Sequence, residues 1–143
     1  MRILLQILTL TLFIVSSCTV APELINYGKD KCHYCSMTIV DHQHASELVT
    51  TKGKVYKYDA IECLINDLIK RDSDEVGLHL VNDYTNPGEL FSAESATFLI
   101  SEGVKSPMGA FLSAFSDKAE AEMVKSEKGG ELYDWQAVKK QIK

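Results

Sequence analysis

Two stretches of the chain run through the same order of local signals, strand, strand, helix, strand, and that repetition limits the folds open to it. In the first, residues 46–51 read as a strand, Lys52-Gly53 as a hairpin turn, and Val55–Tyr58 as a second strand whose Val and Tyr suit a pleated surface. Ile61, Leu64, Ile65, Leu68 and Ile69 then recur at i, i+3, i+4, i+7 and i+8, which predicts an amphipathic helix over 60–71. Asp59 stands where an N-cap belongs, with Glu62 as its capping-box partner. A strand over 77–83 completes the unit. In the second stretch, 96–101 and 110–115 read as strands on either side of a turn region holding Gly103 and Pro107. Ser116 or Asp117 caps a helix to about Lys125, Gly129-Gly130 stops it, 131–133 is a short strand and 135–142 a terminal helix. A lone hairpin or a lone helix cannot bury its apolar face. The expected fold is therefore α+β, with two β-β-α-β units packed on a shared core.

The first residues belong to a different logic. Met1-Arg2 is a short basic start, and residues 3–15 form an apolar run too short to span a membrane and right for a secretory signal. Val15-Ser16-Ser17-Cys18 follows and resembles the bacterial lipobox. That resemblance implies removal of residues 1–17 as a lipoprotein signal peptide, a lipid on Cys18, palmitate included, and a membrane-anchored protein facing the periplasm, on the outer membrane rather than the inner. Acyl chains hold such an anchor because each buried methylene adds about 0.8 kcal/mol. Residues 18–30 read as a lipidated tether and 31–143 as the folded domain. At 143 residues the chain fits one domain, and its 45% hydrophobic content supports a core. The formal net charge of −5 argues against a nucleic-acid partner, which calls for a basic stripe.

The chemistry concentrates in Cys32-His33-Tyr34-Cys35-Ser36-Met37, which holds two thiols, an imidazole and a thioether. Thiolate and thioether are the soft donors that select Cu(I). In an extended segment Cys35 and Met37 share a face with their Cα atoms about 6–7 Å apart, close enough for both sulfurs to meet one ion. Cys63 opens the first helix. Met108 lies in the Ser106-Pro107-Met108-Gly109 turn, where a core methionine is not expected, whereas Met123, inside the second helix, reads as core. With Cys18 set aside, an odd number of cysteines remains, so one thiol at least is left without a partner for a disulfide. His33 is a ligand or a surface residue. His42 and His44 form a His-x-His that binds Cu(II) or Zn(II) or is simply loop. His79 alternates with Leu78 and Leu80 and is expected to face solvent.

Cys35-Ser36-Met37-Thr38-Ile39, then 53–59 (GKVYKYD) with Cys63, then Ser106-Pro107-Met108-Gly109 with Ala114-Phe115, resemble the NosL family of copper chaperones over roughly residues 30–130. The resemblance implies a fold of two β-β-α-β units and a Cu(I)-binding metallochaperone lipoprotein. It implies a copper-acceptor partner, nitrous oxide reductase, and a ligand set of Cys35 with Met37 and Met108. The family usually carries glycine where this chain has Ser36. Cys32 adds a Cys-x-x-Cys that departs from the simplest family pattern; it is a second thiolate ligand or the disulfide partner of Cys35 in the metal-free form, and Cys63 approaches the same site.

No nucleophile-base-acid signature or phosphate loop is present, so no enzyme activity is expected. Two other readings of the same cysteines stay open: a thiol-disulfide oxidoreductase using Cys32 and Cys35, and a structural zinc site built from Cys32, Cys35, Cys63 and a histidine. A plain disulfide without metal is the fourth.

Overall fold

A computed structural model describes residues 19–142. The expected signal peptide, residues 1–17, and the expected lipid site at Cys18 lie outside the described residues. In the first unit, β1 (Ser46–Thr50), β2 (Val55–Tyr58), α1 (Ile61–Leu68) and β3 (Val76–Asn82) form a sheet that β4 (Leu90–Ser92) extends, in the order β2-β1-β3-β4. In the second, β5 (Thr97–Ile100), β6 (Leu112–Phe115), α2 (Lys118–Lys128) and β7 (Glu131–Tyr133) form a sheet of order β6-β5-β7, and α3 (Trp135–Gln141) follows. All strand pairs are antiparallel. Both units thus repeat one topology: a hairpin, a helix, and a third strand returned to the open side of the first. The repeat expected from sequence is the architecture.

The two units close on one core. Leu48, Tyr58, Ile61, Leu64 and Ile65 from the first meet Phe98, Leu112, Ala114, Trp135 and Val138 from the second. Strand alternation sorts the second sheet: Phe98 faces this core while Leu99 turns the other way, to Phe115 and Ala121 under α2. That outer helix has little to bury. Ala121 is its buried residue, and Met123, expected in the core, is 61% exposed because the buried stripe of α2 runs through Ala121 and Val124 instead.

Residues 19–30, expected to be a tether, make contacts across the first sheet. The Glu23 N–H donates to Glu47 Oε1 at 2.9 Å, and Lys57 Nζ donates to the Leu24 carbonyl at 2.8 Å and to Asp30 Oδ2 at 2.8 Å. Ile25 is buried. At the Lys52-Gly53 turn Gly53 has φ +80°, and a Cβ there would stand 2.8 Å from the Thr19 carbonyl oxygen, so this segment leaves room for glycine alone.

A candidate metal centre between a turn, a strand end and a helix start

Residues 31–38 fold back on themselves. Lys31 and Thr38 form an isolated antiparallel bridge, the Cys32 N–H donates to the Met37 carbonyl at 2.8 Å and Ser36 N–H to the Cys32 carbonyl at 2.9 Å. The His33 N–H donates to the Lys57 carbonyl at 2.8 Å, which seats the turn on the free edge of β2. The turn needs a left-handed residue at Ser36, whose φ is 66°. It delivers Cys32 and Cys35 to one side, with the Cys35 N–H reaching back to Cys32 Sγ at 3.5 Å.

Cys63, in the first turn of α1, and Asp59, just past the end of β2, meet them there. The ligating atoms of Cys32, Cys35, Asp59 and Cys63 all lie within 4.8 Å of one another. Cys32, Cys63 and Asp59 are buried, whereas Cys35 is half-buried and forms the way in. All three cysteines are free. The thiols of Cys35 and Cys63 both donate to Asp59 Oδ1, at 3.3 and 3.4 Å.

Asp59 is the member that sequence reasoning missed. Its position promised an N-cap, but the N-cap of α1 is Ala60, which makes no side-chain bond. Glu62, expected to complete a capping box, is turned away too: its Oε1 accepts from Ser106 Oγ at 2.5 Å and from the Ala110 N–H at 3.3 Å.

The thiols differ in acidity. The Cys63 thiol beside it pulls Cys32 down to about 6 from an ordinary 9.0. Burial pushes Cys35 up to about 11. Contact with Cys32, then burial and the negative groups around it, raise Cys63. This order is the reverse of what a thiol-disulfide oxidoreductase needs, which is an acidic and accessible attacking thiol. Here the acidic thiol is the buried one. Nor does a helix follow the Cys-x-x-Cys; the motif is itself the turn, and the chain goes on to the bridge at Thr38.

The other sequence candidates fall elsewhere. His33 packs its ring on Tyr56, centroids 4.5 Å apart, and is outside the four-residue cluster. Met37 and Met108 are at the surface, 51% and 42% exposed, each on a turn bound to the centre: Met37 by its carbonyl to Cys32, the Met108 turn through Glu62 beside Cys63. The two residues of the His-x-His part company. His42 stacks on Tyr27 at 3.6 Å, while His44 is buried, with Nδ1 3.1 Å from Asp41 and Nε2 3.1 Å from Ser113 Oγ on β6. His44 ties the two units together. His79, expected to face solvent, is half-buried, pairs through Nδ1 with Glu94 and lies against Trp135.

The chain matches the NosL family model over residues 26–143. It belongs to the NosL family. A solved relative is the copper chaperone NosL from Shewanella denitrificans, 24% identical, with a TM-score of 0.72 over 82% of this chain and 95% of that one. That likeness shows the shared fold. No curated protein matches. Within the NosL pattern glycine is the expected neighbour of the cysteine, and the left-handed backbone of Ser36 explains the preference: the turn requires a conformation that glycine adopts without strain.

Proposed function

We propose that this NosL-family protein binds one cuprous ion at Cys35, Cys32 and Cys63, with Met37 and Met108 as exposed thioether donors, and passes it to an exported acceptor enzyme. The observation that carries the reading is the convergence of three free thiols at a single half-open spot. Cu(I) prefers such soft donors and tolerates few of them. A half-buried Cys35 beside two buried thiols suits stepwise exchange: an acceptor ligand reaches the ion at its exposed side while the inner sulfurs still hold it. The Shewanella relative, a copper chaperone, points the same way. The acceptor is nitrous oxide reductase and the protein is a carrier, not an enzyme. Removal of residues 1–17 and a lipid on Cys18 keep it on the periplasmic face of a bacterial membrane, the outer one in preference. Residues up to 30 then serve as the lipidated lead-in to the domain.

The test is an anaerobic Cu(I) titration of the reduced protein against a competing chelator, for the wild type and Cys35→Ala. One ion per chain is expected, with binding weakened at least a hundredfold in the variant. An unchanged variant, or a wild type that cannot outcompete a weak cuprous chelator, defeats the proposal.

One observation favours a second reading. Three thiols and a carboxylate within 4.8 Å also make a tetrahedral donor set for Zn(II). A structural zinc would brace the fold, so its removal would unfold the domain; removal of a carried copper ion leaves the domain folded.

A further inference from the structure

We propose that Glu62 is a positioning residue that sets the Met108 turn on the thiol-bearing helix, joining the two halves of the chain into one copper site. The inference rests on the reading above, in which Met108 is a ligand. The converging thiols come from the first unit and its preceding turn, and Met108 comes from the second. Something must hold that second-unit turn in register. Glu62 occupies the first turn of α1, next to Cys63, and is only 3% exposed. Its Oε1 takes the Ser106 hydroxyl at 2.5 Å and the Ala110 N–H at 3.3 Å, so it grips the 106–110 turn on both sides of Met108. Ser106 Oγ in turn receives the Phe111 N–H at 3.0 Å, and the Gly109 N–H closes the turn on the Ser106 carbonyl at 3.1 Å.

Stability alone does not account for a carboxyl group here. Its second oxygen, Oε2, is buried with no partner, a state that weakens a fold. An aliphatic side chain would fill the space without that penalty but could not hold the turn. Glu62 and Met108 line one cleft together with Asn66, Ala110 and Gln141. Groups that orient metal ligands without touching the ion commonly shift affinity by about 10–100-fold when removed.

The experiment is a double-mutant cycle on the full chain in detergent, reduced and freed of metal, with Cu(I) affinity measured by chelator competition and thermal stability read on the same samples. Glu62→Ala and Ser106→Ala cut the link from its two ends; should Glu62→Ala fail to fold, Ser106→Ala carries the test. Each is expected to weaken Cu(I) binding by roughly tenfold or more. In a Met108→Leu background neither should weaken it further, because the ligand being positioned is gone. Glu62→Gln keeps an acceptor oxygen for Ser106 and Ala110 and should restore most of the affinity. Unchanged affinity in both single variants, or losses that add in full to that of Met108→Leu, overturn the positioning role. Wild-type affinity in Met108→Leu itself overturns both this role and the methionine ligand, which separates the two failures.

Discussion

Glu47 provides the sharpest test of how the residues after position 18 bind the domain. It is the second residue of β1, fully buried. One carboxyl oxygen accepts the Glu23 N–H; the other has no partner. Burial pushes its pKa from 4.5 up to about 7, against the pull of the Glu23 N–H and of Lys57. Between those two values the folded chain holds a proton that the unfolded chain has released. Stability from this group is therefore complete below 4.5 and is lost as the pH rises toward 7. At about 1.4 kcal/mol per pH unit the interval amounts to about 3 kcal/mol. Glu47→Gln keeps an oxygen for Glu23 and cannot titrate.

Urea unfolding of the reduced, metal-free protein from pH 4.5 to pH 8, wild type beside variant, isolates this contribution. Asp30, Asp67, Asp83 and Glu94, all held below the usual carboxylate range by their neighbours, titrate alike in both chains and cancel in the difference. So does Cys32, whose lowered pKa makes stability rise between about 6 and 9. The wild type should lose about 3 kcal/mol relative to Glu47→Gln across the range, at unchanged denaturant slope. Parallel curves would refute the argument and mean that water or a counter-charge reaches the carboxyl group.

Three other outcomes follow from the same geometry. Ser36→Gly relieves a left-handed serine and should raise stability by about 1 kcal/mol with Cu(I) affinity retained, read by thermal unfolding and chelator competition. Cu(I) affinity should climb as pH rises from 7 to 9, because Cys35 and Cys63, both raised above the ordinary thiol value, must give up protons to bind metal; a flat profile excludes them as thiolate ligands. Asp117→Ala removes the side chain that caps α2 at the Ala119 N–H, 2.8 Å away, and should cost about 1 kcal/mol in denaturant unfolding without touching copper binding.

Much of the fold was legible because each local signal agreed with the tertiary outcome. The helix over Ile61–Leu68, the hairpin glycine at 53, the Asp117 cap and the stop at Gly129 all rest on short-range chemistry that packing left in place. β4 was not legible: three residues after the Asn86-Pro87-Gly88 turn are too few to carry a period. Met123 misled because α2 covers the second sheet with small side chains, so a methionine on its helical period need not point inward. At the site, Cys32 and Cys35 announce themselves by their spacing, and Cys63 by its place at the head of a helix. Their meeting does not, since it depends on the turn docking to the edge of β2. His33 sits between the two cysteines in sequence but turns to Tyr56, as alternate residues of a tight turn point apart.

Asp59 and Asp117 show what the site required of a duplicated fold. Each follows the second strand of its unit and precedes its helix. Asp117 caps α2. Asp59 sits one residue too early to cap α1, whose cap position holds Ala60, and spends its carboxyl group on two thiols. The first helix thus forgoes about 1 kcal/mol of capping. What Asp59 does for the metal depends on which ion is bound. Its bond to Cys35 and its charge beside Cys63 both favour the protonated thiols. If thiolates alone hold Cu(I), Asp59→Asn makes them easier to ionise and should tighten copper binding at neutral pH. If Asp59 is itself a ligand in a tetrahedral zinc site, the same change should weaken zinc binding about tenfold or more. Tighter copper with indifferent zinc therefore favours the carrier; weaker zinc with indifferent copper would make the duplicated unit's departure a structural brace.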